Sequence, residues 1–107
     1  MSFAHNFRPG ELSIHYQKHG PEFGPISRQG YLHHARAFLN RSTKSAWIQE
    51  GYRSIAWGSS SGDRVRFDIT TQEFGIVTTR GYIRTYFVPD PTLHGYPSNL
   101  DYFLSQY

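Results

Sequence analysis

"DRVRFDITTQEFGIVTTRGYIRTYFV", residues 63–88, decides the fold. Three runs rich in β-branched and aromatic residues (63–69, 73–79 and 82–88) are separated by "TTQ" and "RG", connections of hairpin length. A fourth run, "YRSIAW" (52–57), precedes them across "GSSSG" (58–62). The pattern predicts an antiparallel meander of four strands. Alternation sets Val65, Phe67 and Ile69 on one face and Arg64, Arg66 and Asp68 on the other. The last strand splits in the same way, with Ile83, Thr85 and Phe87 opposed to Tyr82, Arg84 and Tyr86. Pro89 and Pro91 then close the sheet.

Upstream the period changes to that of a helix. Residues 1–10 read as a flexible arm or linker ending in Pro9-Gly10. From Glu11 the stripe Leu12, His15/Tyr16 and His19 predicts a helix, which Gly20 would stop in a left-handed conformation before Pro21. Ser27 is a good N-cap for a second helix whose apolar face is Tyr31, Leu32, Ala35, Phe38 and Leu39. Arg36 and Arg41 lie toward its C-terminal end, where the macrodipole favours cations. At the other end of the chain, "SNLDYFLSQY" has Leu100, Phe103, Leu104 and Tyr107 at helical spacing. The expectation is one α+β domain over residues 1–107. Its N-terminal helices pack on the Val65/Phe67 face of a four-stranded antiparallel sheet, and a short C-terminal helix closes it.

A chain of 107 residues supports one modest core, and 17% aromatic content makes that core largely Tyr and Phe. The net charge is +3, and nine of the 11 basic residues are Arg, the planar cation suited to phosphate. Basic and aromatic together, the chain favours an anionic or nucleic-acid partner. With no cysteine, disulfides, thiolate catalysis and Cys-containing zinc sites are excluded. No apolar run approaches the roughly 20 residues of a spanning helix. No signal-peptide pattern opens the chain; if the domain is exported, the signal lies on a larger parent protein.

"SIHYQKHG", residues 13–20, carries two histidines four apart and a lysine against the second. Three readings are open: a partly exposed polar pair, two zinc ligands on one helix face, or proton-transfer groups beside a phosphate-binding cation. The zinc-protease pattern needs Glu directly after the first histidine, where Tyr16 stands. Thr85, set among Ile83 and Phe87, calls for a polar partner if it is buried. Arg64, Arg66 and Arg84, with Tyr82 and Tyr86, form either a solvated face or a set of RNA-backbone contacts.

"YQKHGPEFG" resembles the Lys-His-small-x-x-Phe-Gly segment of the colicin D tRNase domain. In order and spacing, "YLHHARAFL", "RFDITTQEFGIV" and "GYIRTYF" resemble the C-terminal toxin domains of contact-dependent inhibition proteins and other polymorphic toxins. These domains belong to the barnase–EndoU–colicin–RelE-like (BECR) ribonucleases, and the resemblance spans roughly residues 12–89. It implies a metal-independent endoribonuclease with no cofactor, acting on RNA, with tRNA the expected substrate. His19 takes the place of the catalytic acid–base group, with Lys18 before it and Thr85 as the hydroxyl two residues ahead of an aromatic. His15 stands where the family has a further lysine, and Tyr86 is a second candidate for the complementary proton transfer. Arg66, Arg84, Arg64 and Tyr86 are the expected substrate contacts. The resemblance further implies a monomeric toxin domain neutralised by an acidic immunity protein. It would be delivered at the C-terminus of a secreted or cell-surface protein and act in the cytoplasm of the target cell. The alternative is a basic RNA-binding module without catalysis.

Overall fold

Backbone pairing joins the segments into one mixed sheet in an α+β fold. The computed structural model describes residues 3–41, 48–53 and 62–106. In chain order these form β1 (Asn6–Phe7), α1 (Glu11–His19), a 3₁₀ turn (Gly20–Phe23), α2 (Arg28–Asn40), β2 (Ile48–Tyr52), β3 (Arg64–Asp68), β4 (Phe74–Val77), β5 (Tyr82–Phe87), α3 (Pro91–His94) and α4 (Asn99–Leu104). The five strands lie in the order β1-β5-β4-β3-β2. β2 to β5 are antiparallel neighbours, and β1 adds to β5 in parallel.

Two expectations about strands change. The N-terminal arm is docked: Ala4 and Phe7 are buried, and the Asn40 side chain bonds both the amide and the carbonyl of Ala4 (2.8 and 2.9 Å). A strand of two residues is too short to show a period, so only its tertiary partners reveal it. β2 occupies 48–52 rather than 52–57; Tyr52 belongs to both, and residues 54–57 of the expected strand lie outside the described residues. Glu50 and Gly51 are poor strand formers. Pairing overrides that preference, because Glu50 sits opposite Arg66 in the ladder.

The register arranges side chains in rows across the sheet. Val65, Ile76 and Thr85 make one row and Phe67, Phe74 and Phe87 another, both on one face. The other face carries Arg66, Gly75 and Tyr86, then Arg64, Val77 and Ile83. A bulge between Ile76 and Val77 skips Arg84, which turns Ile83 to the side of Tyr86 instead of Thr85. Alternation alone cannot foresee that slip.

α2 covers the second face and not the Val65/Phe67 face. Ser27 accepts from the Gly30 amide (3.0 Å), and all five residues of the expected apolar stripe are buried. The glycine at 75 is required by close approach: a Cβ there would lie 3.0 Å from Leu39. No glycine ends α2. Instead the buried guanidinium of Arg64 donates to the Leu39 carbonyl (2.7 Å), and that of Arg66 donates to Phe38 and Arg41 (2.7 and 2.6 Å). These arginines satisfy carbonyls that a helix C-terminus leaves unpaired and sit at the negative end of its dipole. Glu50 Oε2 accepts from both of them (2.9 and 2.8 Å).

The Val65/Phe67 face is covered in part by α4, whose Phe103 stacks on Phe67 (centroids 5.8 Å apart). Of the residues at helical spacing there, Leu100 and Leu104 are exposed, and Tyr107 lies outside the described residues. α1 packs against α2 and against β1 and β5 at the sheet edge. Gly20 is right-handed (φ −52°), so the chain continues into the 3₁₀ turn, and the reversal falls at Gly24 (φ +83°). Glycine is needed at 20 for another reason. A Cβ would sit 2.8 Å from the ring of Tyr16, whose hydroxyl donates to Ile26.

Candidate functional site

Where α4 leaves the sheet face uncovered, a cleft of about 930 Å³ opens between α1, the end of β5 and the segment leading into α3. His15, Lys18, His19 and Thr85 all line it. Helical spacing explains the first three, since i, i+3 and i+4 share one face of α1. Thr85 arrives from the row it shares with Ile76.

His19 is the most constrained of the four. Its Nδ1 lies 2.7 Å from Glu22 Oε2, and its ring stacks on Phe87 with centroids 4.8 Å apart. The carboxylate can only accept, so the Nδ1 proton points to it and Nε2 is left for other chemistry. Glu22 is itself fixed, because its Oε1 accepts from the Val88 amide just past β5 (2.8 Å). Glu22 was not foreseen. The available signal was its i, i+3 distance from His19 across a turn of 3₁₀ period.

His15 stacks between Phe7 (5.0 Å) and His19 (6.3 Å). Its Nδ1 is buried with no hydrogen-bond partner among the described residues, and Nε2 lies 3.6 Å from Glu11. Its pKa is lowered from the ordinary 6.5, first by burial and further by His19 and Lys18, with Glu11 opposing. The two imidazoles stack at 29°. Among the described residues no group of three or more His, Asp or Glu side chains is placed to hold a metal ion. Lys18 is exposed, and neither its amine nor the Thr85 hydroxyl has a hydrogen bond or ion pair among the described residues.

The expected substrate contacts lie elsewhere. Arg64 and Arg66 are 2% and 3% exposed beneath α2 and cannot reach a ligand in the cleft. Tyr86 is buried on that same face, its hydroxyl bonded to Glu73 and its carbonyl accepting from the Tyr31 hydroxyl. Burial and the Glu73 contact push its pKa up, which suits a packed phenol rather than a proton-transfer group. Arg84 pairs with buried Asp63 and lines a separate groove with Arg8, Glu11 and Tyr82. The arginine that does line the cleft is Arg53, held by Asp63 (3.7 Å) and the Gln106 carbonyl (3.2 Å). Alternation placed Arg64, Arg66, Arg84 and Tyr86 by face and carried no information on which face would be covered.

No protein-family model matches the chain, and no curated protein matches it.

Proposed function

We propose that this chain is a metal-independent endoribonuclease of the colicin D-like, BECR type. The observation that carries the reading is the His19 imidazole, held between the Glu22 carboxylate and the Phe87 ring at a cleft shared with Lys18 and Thr85. In the reaction, the RNA 2′-oxygen attacks the adjacent phosphorus while the 5′-oxygen departs. The products are a 2′,3′-cyclic phosphate and a free 5′-hydroxyl. Nε2 of His19 can take the 2′-hydroxyl proton or return one to the departing oxygen, and Glu22 stabilises the imidazolium in either case. Lys18 and the Thr85 hydroxyl are free to bind the non-bridging oxygens as charge develops there. His15 lies next to His19 and supplies a second imidazole for the complementary transfer. The need for a 2′-hydroxyl restricts the activity to RNA.

The same reading makes the chain a toxin domain of interbacterial competition, with tRNA as its target. It would be carried at the C-terminus of an exported protein and restrained by an acidic immunity protein over the Lys18/His19 end of the cleft. The test is digestion of total RNA and of tRNA with the purified protein in EDTA, followed by mapping of the new ends. Cyclic-phosphate and 5′-hydroxyl ends are expected. RNA that is bound but left intact would favour the non-catalytic binding module, and cleavage abolished by EDTA would overturn the metal-free mechanism.

A further inference from the structure

Phosphoryl chemistry uses only one end of the cleft. An aromatic run crosses the rest of its wall from the histidine: His19 stacks on Phe87 (4.8 Å), Phe87 meets Tyr102 edge-on (6.2 Å), and Tyr102 stacks on His94 (4.6 Å, 20°). Phe74 also holds the edge of Tyr102 (5.2 Å). Tyr96 and Leu93 flank the far end, and Leu93 is 86% exposed.

His94 at this end is a plate and not an acid or base. Its Nδ1 accepts from the Tyr96 amide (3.1 Å), so the proton sits on Nε2, which donates to Asn99 Oδ1 (2.9 Å). Asn99 in turn donates to Gln72 Oε1 (3.0 Å), and Gln72 donates to the Ile69 carbonyl (2.6 Å). Gln72 has φ +66°, a conformation that side-chain-bearing residues rarely adopt, and the hydrogen-bond chain ends on it. Both ring nitrogens of His94 are thus spent inside the protein. What the ring has left is the face that does not stack on Tyr102.

We propose that the His94–Tyr102 pair is a nucleobase-stacking subsite, seating the nucleotide next to the scissile phosphate. The proposal rests on the ribonuclease reading. A flat pair of rings, His94 fixed by hydrogen bonds and Tyr102 by its contacts with Phe74 and Phe87, meets a base at little ordering cost. The ring nitrogens of His94 cannot read base edges, so recognition tolerates sequence, and stacking strength gives purines a modest advantage over pyrimidines.

The experiment measures binding of a non-cleavable 2′-O-methyl oligonucleotide, copied from the mapped cleavage site, with a single abasic nucleotide walked along it. One abasic position adjoining the cut should weaken binding to the wild type by about 5- to 100-fold. His94→Ala should lose affinity by a similar factor and become insensitive to that abasic position. His94→Phe keeps a ring without the hydrogen bonds and should recover part of the affinity, and a thermal melt checks that each variant is folded. RNA cleavage by the wild type, with binding indifferent to every abasic position or to His94→Ala, would overturn the subsite and leave the nuclease standing. Failure of the wild type to bind or cut any RNA would overturn both.

Discussion

The two faces of the sheet are built from similar chemistry and handle it in opposite ways. Under α2, the cations of Arg64 and Arg66, the carboxylate of Glu50 and the open carbonyls of the helix end are bonded to one another. On the cleft face, the Thr85 hydroxyl, the Lys18 amine and Nδ1 of His15 have no hydrogen-bond partner among the described residues. Buried polar groups are normally paired, and of this set only Nδ1 of His15 is buried; the Lys18 amine is exposed and the Thr85 hydroxyl half-buried at the cleft. Charge alone did not separate the faces. What separates them is that the cations under α2 bond to a carboxylate and to helix-end carbonyls.

The largest effect should come from breaking the buried arginine cluster. Glu50→Ala leaves two buried guanidiniums without their carboxylate, at a cost of about 3–5 kcal/mol. That is a large share of the ~5–15 kcal/mol that holds a domain together. Urea denaturation would read the loss, and a midpoint near that of the wild type would show the arginine cluster to be dispensable.

His19→Ala tests the open face. Cleavage should fall by about 10²–10⁴-fold, the usual worth of a positioned acid–base group, while the urea midpoint barely moves. Glu22→Gln should lose less, because the amide oxygen can still accept from Nδ1, although its nitrogen cannot accept from Val88 and the neutral group cannot stabilise the cation. Wild-type cutting by His19→Ala would remove this histidine from the mechanism.

Thr85→Val keeps the shape and deletes the hydroxyl. A drop in cleavage on the order of 10²-fold is expected, by analogy with losing one oxyanion donor. Stability should hold, since the hydroxyl gives up no internal hydrogen bond. Loss of stability with unchanged rate would make Thr85 a packing residue.

The smallest effect concerns His15. Its folded pKa lies below the unfolded 6.5, so the unfolded chain binds more protons through that window. The stability His15 contributes is therefore present above about pH 6.5 and lost as pH falls through the lower, folded value. Denaturation at neutral and mildly acidic pH should show the wild type losing more stability than His15→Gln. Parallel losses in the two proteins would mean that other groups govern the acid response.

Much of the fold was legible from local signals. Ser27 and the stripe from Tyr31 to Leu39 define α2, and the "TTQ" and "RG" connections define the turns around β4. The part of the site on α1 was legible too, because helical spacing alone brings His15, Lys18 and His19 to one face. Glu22 was not, since its role depends on the Val88 amide, 66 residues away. The docking of residues 3–7 escaped for the same reason, being held by Asn40 and Gly81 rather than by any local pattern.

The sequence by itself determined the elements with a readable period, the aromatic core and the cationic, histidine-bearing end of α1. Tertiary structure alone decided which face α2 would cover, and with it the fate of every arginine in β3. Alternation is symmetric between the two sides of a strand, and an arginine row reads the same whether it faces water or caps a helix. The choice was made by partners distant in sequence: Glu50 and the last carbonyls of α2 on one side, Phe103 of α4 on the other. Where neither set reached, the sheet stayed open, and Thr85 came to share a cleft with His19.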